Sequence, residues 1–193
     1  MPPHITEKTI SQFVKDVGDQ HYILTGTVIA TSAAQAAALG EACMQISLDN
    51  QVDTLNWQDV TARIEQMVQI KTSLIESANR EALVMAEYNS RTTDKGQAED
   101  VQKNFKTSEE VTRLCLEAMQ LLQDFRPLVL TQLKGSLQIV LKLLASEAET
   151  MLLWLSDSLA QADQLAGADI AGYELRLAEL KQELAKVSAE NYI

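Results

Sequence analysis

Glycine and proline are scarce in this chain, and their scarcity limits the folds open to it. The 193 residues include 7 Gly and 3 Pro. An all-β domain needs turn residues about every ten positions, which this sequence does not supply. With 46% hydrophobic and 22% charged residues, the chain is also too apolar for a disordered protein. The composition therefore predicts an all-α protein.

Four breaks at glycines and prolines, together with a helix start capped by Asn56, divide the chain into six segments, most of which have a helical period. In these segments apolar residues recur at spacings of three and four. The sequence has no internal repeat of roughly 20–50 residues and no low-complexity linker. We therefore predict a single domain over residues 1–193, folded as an up-and-down-type bundle of about six helices.

The second and fifth helices are expected to lie deepest in the bundle. The second, over about 27–47, is rich in Ala and other small residues, and close helix–helix approach would explain Gly40 within it. The same argument applies to Gly135. The fifth helix is predicted over 127–162, with Pro127 in its first turn. Because its first half is apolar nearly all round, it is the predicted buried central helix.

The first and sixth helices each have an apolar face. Thr6 is expected to cap the first helix. Its face consists of Ile10, Phe13, Val14 and Val17. The sixth helix has a heptad-like seam of Tyr173, Leu177, Leu180, Leu184 and Val187. This seam would serve equally as an internal packing face or as a dimer contact.

The charge and the cysteines narrow the class of protein. A net charge of −11 argues against a nucleic-acid partner and against an anionic membrane surface. The longest apolar stretch, 128–145, contains Lys134 and Lys142, so it predicts a core helix and no membrane span. Cys43 and Cys115 lie far apart among apolar or small residues, which indicates reduced thiols. These features, with no signal-peptide pattern at the start, predict a cytoplasmic protein.

Residue patterns for common catalytic and metal sites are missing. The only histidines, His4 and His21, have no second ligand at helical spacing, so no metal site is expected. No Glu-x-x-His motif of a di-iron bundle occurs. Glu147 and Glu149 are the nearest candidates for paired carboxylates. The catalytic residues stay unassigned.

Three segments occur in an order typical of one family. Residues 9–14 read Thr-Ile-Ser-Gln-Phe-Val, and after a ten-residue break 25–30 read Thr-Gly-Thr-Val-Ile-Ala before the Ala-rich helix. Residues 79–88 begin Asn-Arg-Glu-Ala-Leu and end Met-Ala-x-Tyr. This layout resembles the cyclodeaminase/methenyltetrahydrofolate cyclohydrolase family, which includes the C-terminal half of formiminotransferase-cyclodeaminase. Members have a Gly-Gly-Gly-Ser-Val-Ala-Ala loop and an Asp-Ala-Glu-Ala-Phe segment at these places.

The resemblance implies a helical homodimer that holds a tetrahydrofolate derivative near this loop and the helix behind it. The family acts in one-carbon metabolism, releasing ammonia from formiminotetrahydrofolate or hydrolysing methenyltetrahydrofolate. The positions implied as cofactor-binding by alignment with its motifs are Thr25, Gly26, Thr27, Val28, Asn79 and Ser136.

This sequence departs from the family at the places that matter for catalysis. Residues 25–28 replace Gly-Gly-Gly-Ser, which adds β-carbons to a close-approach loop. Asn79 aligns with the family's Asp, and an amide does not exchange protons near neutral pH. The segment around Ser136 also loses a carboxylate. The alignment therefore implies a surviving fold and a lost catalytic site.

Three functional hypotheses follow. The first is a non-catalytic homologue of the folate enzymes, a pseudoenzyme acting as a dimeric binding or regulatory protein. The second is an active cyclohydrolase or cyclodeaminase, with Glu147 or His21 supplying the acid–base group. The third discards the resemblance and predicts a helical adaptor that binds a protein partner through the sixth-helix seam.

Overall fold

The chain folds as an all-α bundle, as the composition predicts. A computed structural model describes residues 8–19, 24–50, 56–90, 97–162 and 170–189, and these residues contain no strand. The α-helices are α1 (Ile10–Asp19), α2 (Thr25–Asn50), α3 (Trp57–Ser90), α4 (Gln97–Phe125), α5 (Lys134–Ala162) and α6 (Ile170–Ala189). Two 3₁₀ turns, Arg126–Leu128 and Thr131–Leu133, lie between α4 and α5.

Helices α2 and α3 form an antiparallel pair. Near the start of α2, Gly26 contacts Glu81 in the later part of α3. Further along α2, Glu41 forms an ion pair with Lys71, earlier in α3. The small residues of α2 allow this close packing, and Ala30, Ala33 and Ala37 are fully buried. The start of α3 is thereby brought near the far end of α2.

Helix α5 also runs antiparallel to α2. The Ser32 hydroxyl on α2 donates a hydrogen bond to Glu147 on α5 (2.7 Å). Near the other end of α2, the Ser47 hydroxyl accepts one from the backbone N–H of Leu130, just before α5 (3.2 Å). The first turns of α5 therefore lie beside the C-terminal half of α2.

The core lies around α4, which packs against α2, α3, α5 and α6. Phe105, Met119 and Leu122 of this helix are fully buried. The close approach predicted at Gly40 is confirmed, because a β-carbon there would lie 3.1 Å from the Leu122 methyl groups. At Gly135 the same expectation is wrong, since no atom beyond its immediate chain neighbourhood lies within 4 Å of the position of a β-carbon.

Helix α5 differs from the prediction in its start and in its burial. Pro127 belongs to a 3₁₀ turn, and Val129 is extended (φ −70°, ψ 140°), so the α-helix begins only at Lys134. One face of α5 is uncovered, with Ile139 57% and Leu153 63% exposed. Between α2 and α4, by contrast, the helix is buried. The helix is therefore packed against α2, α4 and α6, but it is not buried all round as its apolar first half predicts.

The seam of α6 is an internal packing face. Leu177, Leu180, Leu184 and Val187 are all buried within the chain's own bundle. At the start of the seam, the ring of Tyr173 stacks on Phe105 of α4, with the ring centroids 4.2 Å apart. The sequence left an internal face and a dimer contact open, and the structure has the internal face.

Helix α1 is capped by Thr9. The Thr9 hydroxyl accepts a hydrogen bond from the Gln12 N–H, and the Gln12 side chain accepts one from the Thr9 N–H, which completes a capping box. Thr6, the predicted cap, lies outside the described residues. Of the predicted apolar face, Phe13 and Val17 are half-buried, whereas Ile10 and Val14 are exposed.

Candidate functional site

A buried carboxylate faces the start of α2. Glu81 on α3 is 1% exposed, and its side chain contacts Gly26 in the first turn of α2. A β-carbon at Gly26 would lie 3.0 Å from the Glu81 Cγ, Cδ and Oε1 atoms. Glycine is therefore the residue that lets the backbone of α2 approach this carboxyl group.

The helical register of α3 brings Glu81 into the core. Buried residues recur along this helix at spacings of three, four and seven, namely Val60, Met67, Ile70, Leu74, Ala78 and Glu81, and Ser77 beside Ala78 is buried as well. A carboxyl group thus occupies a position that the period reserves for apolar side chains. The neighbouring Ser77 hydroxyl donates to the Ser73 carbonyl oxygen (2.9 Å).

Hydrogen-bonding groups at this site are unsatisfied. Neither carboxyl oxygen of Glu81 has a hydrogen-bond partner within the described ranges, and the same holds for the buried hydroxyl of Thr27 on α2. Leaving a buried polar group unpaired costs about 1–3 kcal/mol. Buried polar groups in proteins are otherwise nearly always paired. A ligand that donates hydrogen bonds would satisfy these groups.

Burial also changes the acidity of the carboxyl group. Desolvation raises the pKa of Glu81 from 4.5 to about 7. The group is therefore divided between its neutral and ionised forms near pH 7. The partial positive charge at the start of α2 favours the ionised form. Buried carboxyls with such a pKa are typical of binding and catalytic sites.

An apolar groove adjoins the site. It has a volume of about 290 Å³ and lies between α1, α2 and α3. Ala78, which lines it, precedes Glu81 by three residues on α3. Thr31, on its other wall, donates to the carbonyl oxygen of Thr27 (2.8 Å). The groove thus comes within about one helical turn of the buried polar groups.

Five of the six predicted site residues lie in the two helices that form this site. Thr25, Gly26, Thr27 and Val28 form the first turn of α2, and Asn79 lies two residues before Glu81. Thr25 and Asn79 are half-buried, whereas Val28 is exposed.

Ser136 is not brought to the site. It lies in the first turn of α5, one turn before Val140, which is beside Gly40. Gly40 follows Gly26 by 14 residues, about 21 Å along α2, and Ser136 lies a further turn away, so more than about 25 Å separates Ser136 from the start of α2.

Glu147 occupies a different place, between α2 and α5. It accepts the hydrogen bond from Ser32, and its charge, after desolvation, helps to raise the pKa of the buried Cys115 thiol to about 12. Cys115 and Cys43 are both free and buried. Glu147 thus has a structural partner, and His21 lies outside the described residues. Where side chains are described, no three His, Cys, Asp or Glu residues form a metal-binding group.

Glu81 is not among the residues that the sequence predicts for the site. The family resemblance includes its segment, Asn79 to Leu83, but implies only Asn79 as a site residue. The signal that could have found it is the buried line of α3, on which Glu81 follows Leu74 by seven residues and Ala78 by three.

Comparisons with protein-family models and with curated proteins find no match to this chain. The family resemblance therefore rests on the motifs quoted above. In the helices that the structure describes, no segment is long and apolar enough to cross a membrane.

Proposed function

We propose that the protein is a non-catalytic homologue of the folate cyclodeaminase/cyclohydrolase family and acts as a dimeric binding or regulatory protein. Its ligand is a tetrahydrofolate derivative, held at Gly26, Thr27 and Glu81. The observation that supports binding is the buried, unpartnered carboxyl group of Glu81 against the glycine at the start of α2.

The chemistry of the site suits a pterin ring. A pterin presents adjacent N–H donors along one edge, and two carboxylate oxygens can accept both. The Thr27 hydroxyl can donate or accept a third hydrogen bond. The flat ring would occupy the apolar groove, where Phe13, Ile75 and Ala78 offer apolar contacts. Small-ligand sites usually combine such an apolar lining with a few polar groups.

The alignment supports binding without turnover. Asn79 stands where the family has an Asp, and Ser136, aligned with another motif, is far from the site. Glu81 itself is almost fully enclosed, with 1% of its surface exposed. A ligand N–H edge and a water molecule would both reach this carboxyl group only where α2 and α3 move apart, so the non-catalytic assignment rests on Asn79 and Ser136.

Isothermal titration calorimetry with 5-formyltetrahydrofolate tests this proposal. Wild-type protein is expected to bind, and Glu81→Gln is expected to weaken binding at least about tenfold, since it replaces one acceptor oxygen by a donor. Glu76→Gln is the matched control, because Glu76 is exposed on the same helix. No binding by the wild type, or equal affinity for all three proteins, would contradict the proposal.

An active folate enzyme is the second candidate, and the pKa of Glu81 favours it. A carboxyl group with a pKa of about 7 can exchange protons at neutral pH. The absorbance of methenyltetrahydrofolate reports its hydrolysis. Decay faster than in buffer, lost in Glu81→Gln and kept in Glu76→Gln, would establish the enzyme and replace the non-catalytic account. Decay at the buffer rate would exclude hydrolysis of this substrate.

The adaptor hypothesis is the third candidate. It was based on the α6 seam, and Leu177 and Leu180 of that seam are buried against the chain's own core. An adaptor would therefore need another surface.

A further inference from the structure

A stripe of exposed residues runs along the uncovered face of α5. The α5 stripe consists of Ile139, Lys142, Ser146, Glu149 and Leu153, all of them exposed. Ile139 and Leu153 are the two largest apolar side chains on it, with 57% and 63% of their surfaces exposed. Single exposed apolar side chains are ordinary on protein surfaces, so what points to a contact here is the arrangement of the two along the helix together with the charges between them.

The apolar line of the α5 stripe is symmetric about Ser146, and its charged pair is nearly so. Ile139, Ser146 and Leu153 follow one another at intervals of seven residues, so they occupy one line of the helix. Lys142 and Glu149 are also seven residues apart, and they lie together on one flank of that line. Reversing the direction of the helix about Ser146 places Ile139 at the position of Leu153. It places Lys142, four residues before Ser146, within one residue of Glu149, three residues after it, an offset of about 1.5 Å along the helix.

We propose that the α5 stripe binds the same stripe of a second copy, with the two α5 helices antiparallel and a two-fold axis at Ser146. Each Ile139 then packs on the partner's Leu153, and each Lys142 faces the partner's Glu149. Such a contact is self-complementary, as a two-fold interface requires. The small Ser146 side chain lets the two helices approach closely at the crossing.

Charge selects the antiparallel arrangement. Side by side in a parallel pair, Lys142 would face Lys142 and Glu149 would face Glu149, and both contacts repel. In the antiparallel pair both contacts attract. Neither side chain has an ion-pair partner within the described part of the chain, so both are available to a second copy.

The neighbouring helix enlarges the contact. Leu143 on α5 is 41% exposed and lies on the side of the stripe that faces α2. Leu39 and Ile46 on α2 are each 42% exposed, and Gly40 packs on Val140 between the two helices. The apolar area thus continues from α5 onto α2. This inference takes up the dimer of the proposed function and assigns its surface, and it does not depend on the ligand.

Cysteine cross-linking tests the position of the axis. In Ser146→Cys the two thiols would meet on the axis, so mild oxidation is expected to give a disulfide-linked dimer in nearly full yield. Gln66→Cys is the control, because Gln66 is exposed on α3 and faces α4. The native Cys43 and Cys115 are buried and do not compete. Cross-linking of Ser146→Cys no better than the control would overturn the proposal.

Charge exchange tests the direction. Lys142→Glu and Glu149→Lys each create two repulsive contacts in the antiparallel dimer, and each is expected to raise its Kd about tenfold in sedimentation equilibrium at low salt. The double exchange restores both attractions and the wild-type Kd, and so does mixing the two single variants. In a parallel dimer residues 142 and 149 would each face their own copies, so each single change would replace one like-charge contact by another and leave the Kd unchanged. An unchanged Kd would therefore contradict the proposal.

The outcomes separate this inference from the proposed function. A wild-type dimer that is insensitive to these changes would contradict the α5 stripe alone. A monomer at all concentrations would contradict both the stripe and the dimer. Calorimetry with 5-formyltetrahydrofolate on Lys142→Glu then reports ligand binding by itself, because Lys142 is on a different helix from Glu81.

Discussion

Gly26 and Glu81 are packed so closely that a β-carbon at residue 26 would crowd the Glu81 side chain. A methyl group on Gly26 would lie 3.0 Å from three atoms of the Glu81 side chain. Because that carboxyl group is enclosed and unpartnered, its neighbours determine both its acidity and the ligand it can accept. The two residues thereby link the packing of α2 on α3 to the proposed binding site.

Gly26→Ala is expected to destabilise the fold by about 1–3 kcal/mol, because the added methyl group must displace Glu81 in a tightly packed region. Gly135→Ala is the matched control. Both glycines are the second residue of their helix, and a methyl group at Gly135 meets no neighbour. The control is expected to be neutral or up to about 1 kcal/mol stabilising. Urea unfolding measures both, and equal effects would contradict the predicted contact.

Combining Gly26→Ala with Glu81→Ala tests the same contact by a double-mutant cycle. Removing the carboxyl group makes room for the new methyl group, so the cost of Gly26→Ala is expected to fall by about 0.5–3 kcal/mol in this background. Strictly additive free energies of unfolding would show that the two side chains do not compete for space.

The raised pKa of Glu81 predicts a pH dependence of stability. The folded state holds this proton up to about pH 7, whereas the unfolded chain releases it near 4.5. The contribution of Glu81 to the free energy of unfolding is therefore fully present below about pH 4.5. It is lost as the pH rises through 7, and the loss amounts to up to about 3 kcal/mol. In Glu81→Gln this loss is expected to disappear, while Glu76→Gln should keep it. Identical pH profiles for wild type and Glu81→Gln would contradict the prediction.

Leu180 tests the internal place of the α6 seam. It is fully buried, so Leu180→Ala is expected to lower the free energy of unfolding by about 2–5 kcal/mol. Leu175 is 64% exposed on the same helix, and Leu175→Ala should stay within about 0.5 kcal/mol of wild type. If Leu180→Ala instead left stability unchanged and weakened self-association, the seam would be an intermolecular contact.

Much of the fold follows from local patterns in the sequence. The four leucine and valine positions of the α6 seam, and the close approach at Gly40, could be predicted because both depend on residue size and helical period. The start of α5 could not, because Pro127 fits the first turn of a 3₁₀ helix as well as that of an α-helix. Which face of α5 stays exposed depends on the neighbours that tertiary packing supplies.

The site was only partly predictable. The family resemblance implies Thr25 to Val28 and Asn79; the first four form the first turn of α2, and Asn79 lies on α3 two residues before Glu81. Glu81 was missed because a glutamate on a long helix ordinarily faces solvent. Its burial depends on the antiparallel register of α2 and α3, which brings Gly26 opposite it. Ser136 is implied by the same motif order, but it lies in the first turn of α5, away from the start of α2. Motif order alone therefore does not show which residues meet in space.

The affinity of the protein for 5-formyltetrahydrofolate as a function of pH tests the central claim most directly. If the ionised Glu81 accepts the N–H donors of the ligand, only the deprotonated protein binds. With a pKa of about 7, the affinity measured by calorimetry is then predicted to rise about tenfold from pH 6 to pH 8. Glu76→Gln should show the same rise, and Glu81→Gln should show none. An affinity that does not change with pH in the wild type, or that rises equally in Glu81→Gln, would contradict the account.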